Sequence, residues 1–270
     1  MRLAKLIAAR GVCSRREAEK LILDGRVQVN GEVVQRGAWM VEKGDFIKID
    51  GKPVPQGPPK IYLLMYKPRG TITGRKDPEG RKSVLDLVDQ SVRVEPVGRL
   101  DMNTEGALLL TNDGELANAL THPSNKVPKR YVSKIWRTPT DETLKRLEKG
   151  VFLEDGKTSP CKVRVIEATD GGNCWLEITV TEGRNRMVRR MLEALNHPVS
   201  KLRRESFATL SIRGMERGQV RPLTSDEIRR IKDLAAGRKS TSRKRRFKYR
   251  KGFARPSRQK GLGRKPGAVK

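Results

Sequence analysis

The chain opens with a hydrophobic pattern that is typical of two short amphipathic helices. Leu3, Leu6 and Ile7 recur at the spacing of one helical face. Gly11 is placed to end that helix. Residues 14–17 then form a Ser-x-x-Glu pattern, in which the serine and the glutamate can each accept a backbone N–H of the other. This capping box predicts the start of a second helix, for which Gly25 is a suitable end.

A small sheet is expected directly after these helices. Residues 27–33 alternate between apolar and polar side chains around Asn30-Gly31, a pair that favours a tight hairpin turn. Residues 45–51 predict another strand and turn. The proline-rich stretch that follows breaks regular structure and indicates a linker. The predicted organisation is a small module over 1–52, a linker over 53–59, a larger domain over 60–236 and a tail over 237–270.

The larger domain mixes strand-like and helix-like patterns. It lacks the glycine pattern of a dinucleotide fold, so we expect an α+β fold with a mostly antiparallel central sheet. The predicted strands cover 61–66, 92–97, 108–111, 130–136, 162–167 and 175–180, and the predicted helices cover 115–120, 141–149, 186–195 and 225–234.

Charge narrows the choice of partner. The chain carries 59 Lys or Arg and 31 Asp or Glu, for a net charge of +28, which favours a polyanion such as nucleic acid. Of these, 44 basic and all 31 acidic residues precede Gly237, a net charge of +13. The tail over 237–270 therefore carries 15 basic residues without an acid. We predict that this tail is disordered and contacts RNA phosphates without sequence preference, with a purely solubilising role as the alternative.

Several other function classes are excluded. The apolar runs are far shorter than the roughly 20 residues of a membrane-spanning helix, and the N-terminus does not have the pattern of a secretory signal. Cys13, Cys161 and Cys174 are widely separated, which argues against a disulfide framework or a zinc knuckle. With His122 and His197 as the only histidines, we expect no bound metal and a cytoplasmic setting. Nucleotide-binding loops and zinc deaminase motifs are also absent from the sequence.

The stretch over 97–114 is the most informative part of the larger domain. Asp101 lies between an arginine and a Thr-x-Gly turn, and an apolar strand follows. Taken alone, Asp101 is more often a turn or capping residue than a catalytic one. Asp113 has the stronger capping pattern, because a helical pattern follows it.

This stretch is one of three motifs that occur in a fixed order. They are Gly98-Arg99-Leu100-Asp101-x-x-Thr104-x-Gly106 with the following Leu108-Leu109-Leu110-Thr111-x-Asp113-Gly114, then Lys129-Arg130-Tyr131-Val132, and then Glu182-Gly183-Arg184-Asn185-Arg186-x-Val188-Arg189-Arg190-Met191. The set resembles the motifs of pseudouridine synthases of the RsuA/RluB type. The first module, with Gly11–Ala18 and Gly25–Gly31, resembles an S4-type RNA-binding domain. The resemblance covers about residues 2–230.

The resemblance implies a reaction and a set of roles. Uridine is detached at N1 from the ribose, turned and rejoined through C5, which needs no cofactor or metal. Asp101 is implied as the catalytic aspartate, acting as a nucleophile on base or sugar or as a base toward the sugar. Arg189 is implied to keep that carboxylate ionised and oriented, and Tyr131 to stack on the target base. For Tyr131 the alternative is ordinary strand packing, and for the arginines an exposed helix face.

Candidate RNA contacts follow from the same resemblance. In the synthase motifs they are Arg99, Arg184, Asn185 and Arg186. In the S4-type module they are Arg2, Lys5, Arg15, Arg16, Lys20 and Arg26. The alternative is that these side chains form a solvated surface with no RNA contact.

The expected partner is ribosomal RNA or a pre-ribosomal particle, bound by a monomer without a membrane. The segments 77–81 and 201–205, together with the tail, resemble the RluB branch, which modifies large-subunit RNA. A small-subunit enzyme of the RsuA branch, a non-catalytic ribosome-assembly factor that keeps the fold, and a general nucleic-acid-coating protein are the alternatives.

Overall fold

The N-terminal module has the architecture that its sequence pattern predicts. A computed structural model describes residues 1–75, 77, 79–89, 93–168 and 172–238 of the chain, so the predicted tail beyond Arg238 lies outside the described residues. Two helices pack on an antiparallel sheet in the order β2-β1-β3-β4. The elements are α1 (Leu3–Ala9), α2 (Arg15–Leu23), β1 (Val27–Val29), β2 (Glu32–Val33), β3 (Ile47–Ile49) and β4 (Lys52–Pro53).

Local sequence signals account for this module. Ser14 and Glu17 form the predicted capping box at the start of α2. Asn30 and Gly31 both have positive φ angles, of 52° and 94°, as a primed hairpin turn requires. The predicted linker differs slightly, since its first residue, Pro53, belongs to β4.

The larger domain is built on one mixed sheet. Among the described residues the sheet has nine strands, and its main path runs β11-β12-β8-β13-β7-β5-β15, with β14 beside β13 and β6 beside β7. The strands are β5 (Tyr62–Lys67), β6 (Glu95–Pro96), β7 (Glu105–Thr111), β8 (Lys129–Ile135), β11 (Lys162–Ala168), β12 (Cys174–Val180), β13 (Val199–Phe207), β14 (Leu210–Ser211) and β15 (Val220–Pro222). The pair β13–β7 is parallel and the other pairs are antiparallel. The predicted α+β fold is thereby confirmed.

Four α-helices and one small hairpin complete the described part of this domain. The helices are α3 (Gly114–Thr121), α4 (Asp141–Lys149), α5 (Met187–Glu193) and α6 (Ser225–Ala235), and the hairpin pairs β9 (Phe152–Leu153) with β10 (Gly156–Lys157). Short 3-10 helices cover Val84–Leu87 and Pro123–Asn125. The helix predicted over 186–195 is shorter at both ends. It begins late because Arg186 takes a left-handed conformation with φ 47°.

The strand predicted over 92–97 was too long. Its first residue lies outside the described residues, and the pairing with β7 involves Glu95 and Pro96. The Val97 N–H still donates to the Leu109 carbonyl of β7 at 2.8 Å, so the hydrogen bonding to β7 extends one residue beyond Pro96. In contrast, β13 was not predicted at all, although it lies between β8 and β7 in the sheet.

Hydrophobic clusters cover both faces of the sheet. Leu109 of β7 packs in one cluster with Leu120 of α3 and Ile231 of α6. Leu108 of β7 packs in another cluster, together with Leu100, the residue before Asp101. Burial on both faces explains why β7 is a continuous apolar run rather than an alternating one.

Candidate active site

Asp101 lies in the loop that leads into β7. The Thr104 N–H closes this turn by donating to the Asp101 carbonyl at 3.0 Å. Gly106, just inside β7, has φ 124°, and a Cβ built there would lie 2.2 Å from the Arg204 carbonyl oxygen of β13. The backbones of β7 and β13 therefore approach too closely for any other residue at this position, which gives the glycine of the Thr-x-Gly motif a physical cause.

A buried lysine holds the backbone of this loop. Lys67, the last residue of β5, has no exposed surface. Its Nζ donates to the carbonyl oxygens of Asp101 at 3.1 Å and Thr104 at 3.0 Å. It also reaches the carbonyl oxygens of Pro68 at 3.0 Å and Met102 at 3.4 Å. Four backbone groups on the two segments are thus held by one ammonium.

The electrostatics of Lys67 follow from its burial. Loss of hydration lowers the pKa of Lys67 from its usual 10.5 to about 8, and the negative charge of Asp101 opposes this change. The strand predicted over 61–66 stops before Lys67, and no function was predicted for this lysine. The available signal was a lysine at the inner end of an otherwise apolar strand.

Arg189 attaches helix α5 to the same loop. Its Nη2 donates to the Asn103 carbonyl at 3.1 Å, and its Nη1 donates to the Val199 carbonyl at 3.1 Å. Burial lowers the pKa of Arg189, the charge of Arg186 adds to this effect, and the charge of Asp101 opposes it. The sequence analysis expected Arg189 beside the carboxylate itself. Within the described chain no salt bridge joins these two side chains, and Arg189 holds the backbone two residues after Asp101.

Tyr131 lies on β8 between the surroundings of Asp101 and those of Arg189. Its half-buried ring packs against the cluster that contains Leu100. It also packs against the cluster that contains Met187 and Val188 of α5. The structure therefore brings the three residues of the predicted catalytic set to one region of the sheet, on three different elements.

A buried cation, Arg204, and a half-buried one, Lys129, lie near Tyr131 on the sheet. Arg204, which pairs with Tyr131 in the β8–β13 register, is 2% exposed and donates from Nε to the Ala107 carbonyl at 2.8 Å. Its guanidinium lies 5.0 Å from the centroid of the Phe207 ring. Lys129 donates to the Val127 carbonyl at 3.0 Å, and burial together with the charge of Arg204 lowers its pKa to about 8. Both cations therefore donate hydrogen bonds to backbone carbonyls.

The Asp101 carboxylate has a different environment from these cations. Its side chain is half-buried and forms no salt bridge with any residue in the described ranges. Lys67 binds the carbonyl of Asp101 itself and Arg189 binds that of Asn103, so the loop from Asp101 onward is fixed while the carboxylate oxygens stay available. A carboxylate held in this way can act as a nucleophile or as a base.

The predicted RNA contacts of the synthase motifs differ in their availability. Arg184 clamps the β9–β10 hairpin, since its guanidinium donates to the carbonyl oxygens of Asp155 at 3.0 Å, Gly156 at 2.9 Å and Lys157 at 2.7 Å. The guanidinium N–H groups of Arg184 are therefore already engaged by carbonyls of the hairpin. The side chains that lie exposed are those of Arg99, Asn185 and Arg186.

The predicted contacts of the first module also fall into two groups. Three are paired with carboxylates: Lys5 with Glu115 at 3.1 Å, Arg15 with Glu19 at 3.3 Å, and Arg26 with Asp50 at 2.5 Å. The remaining three, which are exposed and form no salt bridge with another described residue, are Arg2, Arg16 and Lys20. The Lys5–Glu115 pair joins α1 to α3 of the larger domain.

The described residues also bear on metal binding, cysteine reactivity and membrane-spanning helices. No group of three or more His, Cys, Asp and Glu side chains among them is placed to hold a metal ion. Burial raises the pKa of the Cys161 thiol to about 11, which disfavours the thiolate that a cysteine nucleophile needs. No helix in this part of the chain has the length and apolar character to cross a bilayer.

Comparison with known proteins agrees with this geometry. The RNA pseudouridylate synthase family model matches residues 61–194, and the S4 domain model matches residues 1–47. The ribosomal large subunit pseudouridine synthase B of Bacillus subtilis is 46% identical over 87% of this chain and 96% of its own. An uncharacterized RNA pseudouridine synthase of Aquifex aeolicus is 44% identical over 91% of this chain and 99% of its own. The crystal structure of a pseudouridylate synthase superposes with a TM-score of 0.62 at 28% identity, covering 86% of this chain and 99% of that one. The chain therefore belongs to the RNA pseudouridine synthase family, with an S4 domain preceding its synthase domain.

Proposed function

We propose that this protein converts uridine to pseudouridine in ribosomal RNA, and specifically in large-subunit RNA. The observation that carries the proposal is the Asp101 loop, which Lys67 and Arg189 hold by its backbone while the carboxylate stays unpaired among the described residues. The large-subunit assignment is supported by the 46% identity with the Bacillus subtilis enzyme, whose name states that substrate.

The reaction assigns a demanding task to one carboxylate. The bond between N1 and the ribose C1′ breaks, a bond between C5 and C1′ forms, the proton on C5 leaves, and N1 gains a proton. Atoms and electrons balance without an oxidant or reductant. Asp101 is the catalytic residue of this proposal, and each route open to a carboxylate needs it held within about 0.5 Å of its productive position. The backbone hydrogen bonds of Lys67 and Arg189 supply that fixation.

The remaining roles concern access to the base. A uridine in folded RNA must leave its stack before its glycosidic bond can be reached, and an aromatic surface compensates part of that cost. Tyr131 is the stacking residue of this proposal, since its ring lies between the two clusters that flank Asp101 and Arg189. Arg99 and Arg186, both exposed, are proposed to hold the RNA beside the displaced nucleotide.

The S4 domain supplies affinity in this proposal. Arg2, Arg16 and Lys20 are exposed cations without a carboxylate partner among the described residues, so their charge is available to phosphates. The paired cations of the module contribute less, because part of their charge is already neutralised. The protein is proposed to act in the cytoplasm as a monomer.

The decisive test replaces Asp101. We expect Asp101→Asn to abolish pseudouridine formation while leaving RNA affinity largely unchanged, because the amide keeps the shape of the side chain but removes the charge. The measurement is pseudouridine mapping of ribosomal RNA from cells that lack the gene, complemented with wild type or variant. Asp141→Asn is the matched control, since Asp141 is an exposed aspartate at the start of α4.

The outcomes separate the alternatives. Loss of one large-subunit pseudouridine in the deletion strain, restored by wild type and Asp141→Asn only, is the expected result. A pseudouridine lost from small-subunit RNA would overturn the substrate assignment. Full modification by Asp101→Asn would overturn the catalytic assignment, and an unchanged RNA in the deletion strain would favour a non-catalytic binding protein.

A further inference from the structure

A surface groove lies one helical turn beyond Arg189. It has a volume of about 430 Å³, which falls within the range of small-ligand sites. It opens between the end of β8 and the segment that follows α5. Its lining residues are Trp136, Arg137, Glu193, Asn196 and Pro198.

Trp136 dominates this groove. Its side chain is 59% exposed and offers a large aromatic surface to solvent. Its backbone is nevertheless fixed, because its N–H donates to the Pro198 carbonyl at 3.1 Å and its carbonyl lies 3.0 Å from His197 Nδ1. The groove therefore presents an aromatic face to solvent from a rigid support.

The backbone is fixed on both sides of the groove. Asn196, with φ 61°, belongs to the left-handed cap of α5, where its N–H donates to the Glu193 carbonyl at 2.9 Å and the His197 N–H donates to the Leu192 carbonyl at 2.9 Å. Arg137, with φ 63°, turns the chain directly after Trp136. The groove thus lies between a capped helix end and a turn.

Hydrogen bonds connect the groove to the catalytic loop. Val199 follows Pro198, and its carbonyl accepts from Arg189, which also binds the Asn103 carbonyl. Glu193 lies four residues after Arg189 on α5, so the two share one helix face, about 6 Å apart. The groove is thus the next position along this face from the loop that carries Asp101.

We infer that this groove binds a single unpaired nucleobase of the substrate RNA, at a position separate from the target uridine, because Trp136 follows the end of β8, five residues beyond Tyr131 and about 16 Å away. The base stacks on Trp136, and its N–H groups donate to the carboxylate of Glu193. Glu193 disfavours a phosphate inside the groove, whereas Arg137 places a positive charge at the edge, where the backbone of the RNA would pass. The inference rests on the proposed function, because it presupposes an RNA substrate.

The kinetic test compares substitutions at Trp136. With total ribosomal RNA from the deletion strain as substrate, Trp136→Ala is expected to raise KM about tenfold and leave kcat nearly unchanged, since stacking of one base is lost. Trp136→Phe is expected to recover most of the affinity. Phe152→Ala is the matched control, because Phe152 is 76% exposed on the β9–β10 hairpin and outside the groove.

A binding test requires no catalysis. Asp101→Asn protein is titrated with single-stranded ten-nucleotide homopolymers of adenosine, cytidine and uridine, and tryptophan fluorescence is followed. Quenching by at least one strand, which disappears in the double variant with Trp136→Phe, supports the inference. It is overturned if no strand quenches, if Trp136→Ala leaves KM unchanged, or if Phe152→Ala raises KM equally. If the wild-type protein forms no pseudouridine at all, the proposed function is contradicted, and the fluorescence result would still stand.

Discussion

The basic residues around the Asp101 loop and the predicted RNA contacts of the S4 domain are used in opposite ways. Around the Asp101 loop, Lys67, Arg189 and Arg204 are partly or wholly buried and donate to backbone carbonyls. The predicted RNA contacts of the S4 domain, apart from the half-buried Lys5, are exposed, and they either pair with a carboxylate, as Arg26 does, or form no salt bridge with a described residue, as Arg16 does. The first group fixes geometry, and the second group provides charge.

This difference changes the meaning of the net charge of +28. A buried ammonium loses hydration, which costs free energy, and it is retained only where its hydrogen bonds hold something needed. An exposed cation costs little and stays available to a phosphate. Counting lysines and arginines therefore overstates the RNA-binding surface and conceals the residues that position the catalytic loop.

The largest effect that this comparison predicts is that of Lys67→Met. The substitution removes the hydrogen bonds to the carbonyls of Asp101 and Thr104, so we expect catalysis to fall by about 100-fold, the usual consequence of a displacement near 1 Å. The variant should remain folded, because the loss of the hydrogen bonds to four carbonyls is offset in part by removal of the cost of burying a charge, about 3 kcal/mol from the lowered pKa of Lys67.

The control for this experiment is Lys60→Met, because Lys60 is an exposed lysine just before β5. Pseudouridine formation and circular dichroism are measured on both variants. A Lys67→Met protein with wild-type kcat would show that the loop does not depend on this anchor, and an unfolded one would show a purely structural function.

Stability and activity should both change with pH as Lys67 loses its proton. Between about pH 8 and pH 10.5 the unfolded chain binds the Lys67 proton and the folded chain does not, so the contribution of Lys67 to stability rises with pH. Activity should change in the other direction, since a neutral amine has one donor fewer for the four carbonyls. Because Lys129 has a similarly lowered pKa, the difference between wild type and Lys67→Met isolates the effect.

A smaller effect is expected where the two strands approach most closely. Gly106→Ala places a Cβ 2.2 Å from the Arg204 carbonyl, so β7 and β13 must separate, at a cost of about 2–3 kcal/mol of unfolding free energy. Gly114→Ala is the control, because a Cβ at Gly114 meets nothing within 4 Å. Urea denaturation measures both. Equal stability of the two variants would contradict the close approach.

Much of the fold was predictable because its signals are local. The capping box at Ser14 and the turn at Asn30-Gly31 each depend on residues within a few positions. The strand β12 was also found, since its burial alternates strictly as its sequence does. Asp101 was found through its motif, whose glycine is required by the close approach of β7 and β13 described above.

The missed features depend on contacts between distant residues. In β13 the charged run Arg203, Arg204 and Glu205 hides the alternating strand pattern. Arg204 is buried although it is charged, because it donates to the Ala107 carbonyl of β7 and lies over the Phe207 ring. The partners of Lys67 in the Asp101 loop are 34 or more positions away. Neither arrangement leaves a periodic signal in the sequence, since both arise only when the sheet brings the segments together.

The smallest expected effect concerns the exposed cations of the S4 domain. The double variant Arg16→Gln with Lys20→Gln should lower the slope of log affinity against log salt by about 2, one for each phosphate contact, and leave kcat unchanged. Filter binding of ribosomal RNA across salt concentrations measures the slope. Arg15→Gln with Arg26→Gln is the matched control, with a smaller expected change because Glu19 and Asp50 already pair with these arginines. Equal slopes for the two double variants would mean that pairing does not decide which cations meet RNA. A change in kcat for either would mean that the S4 domain also influences the Asp101 loop.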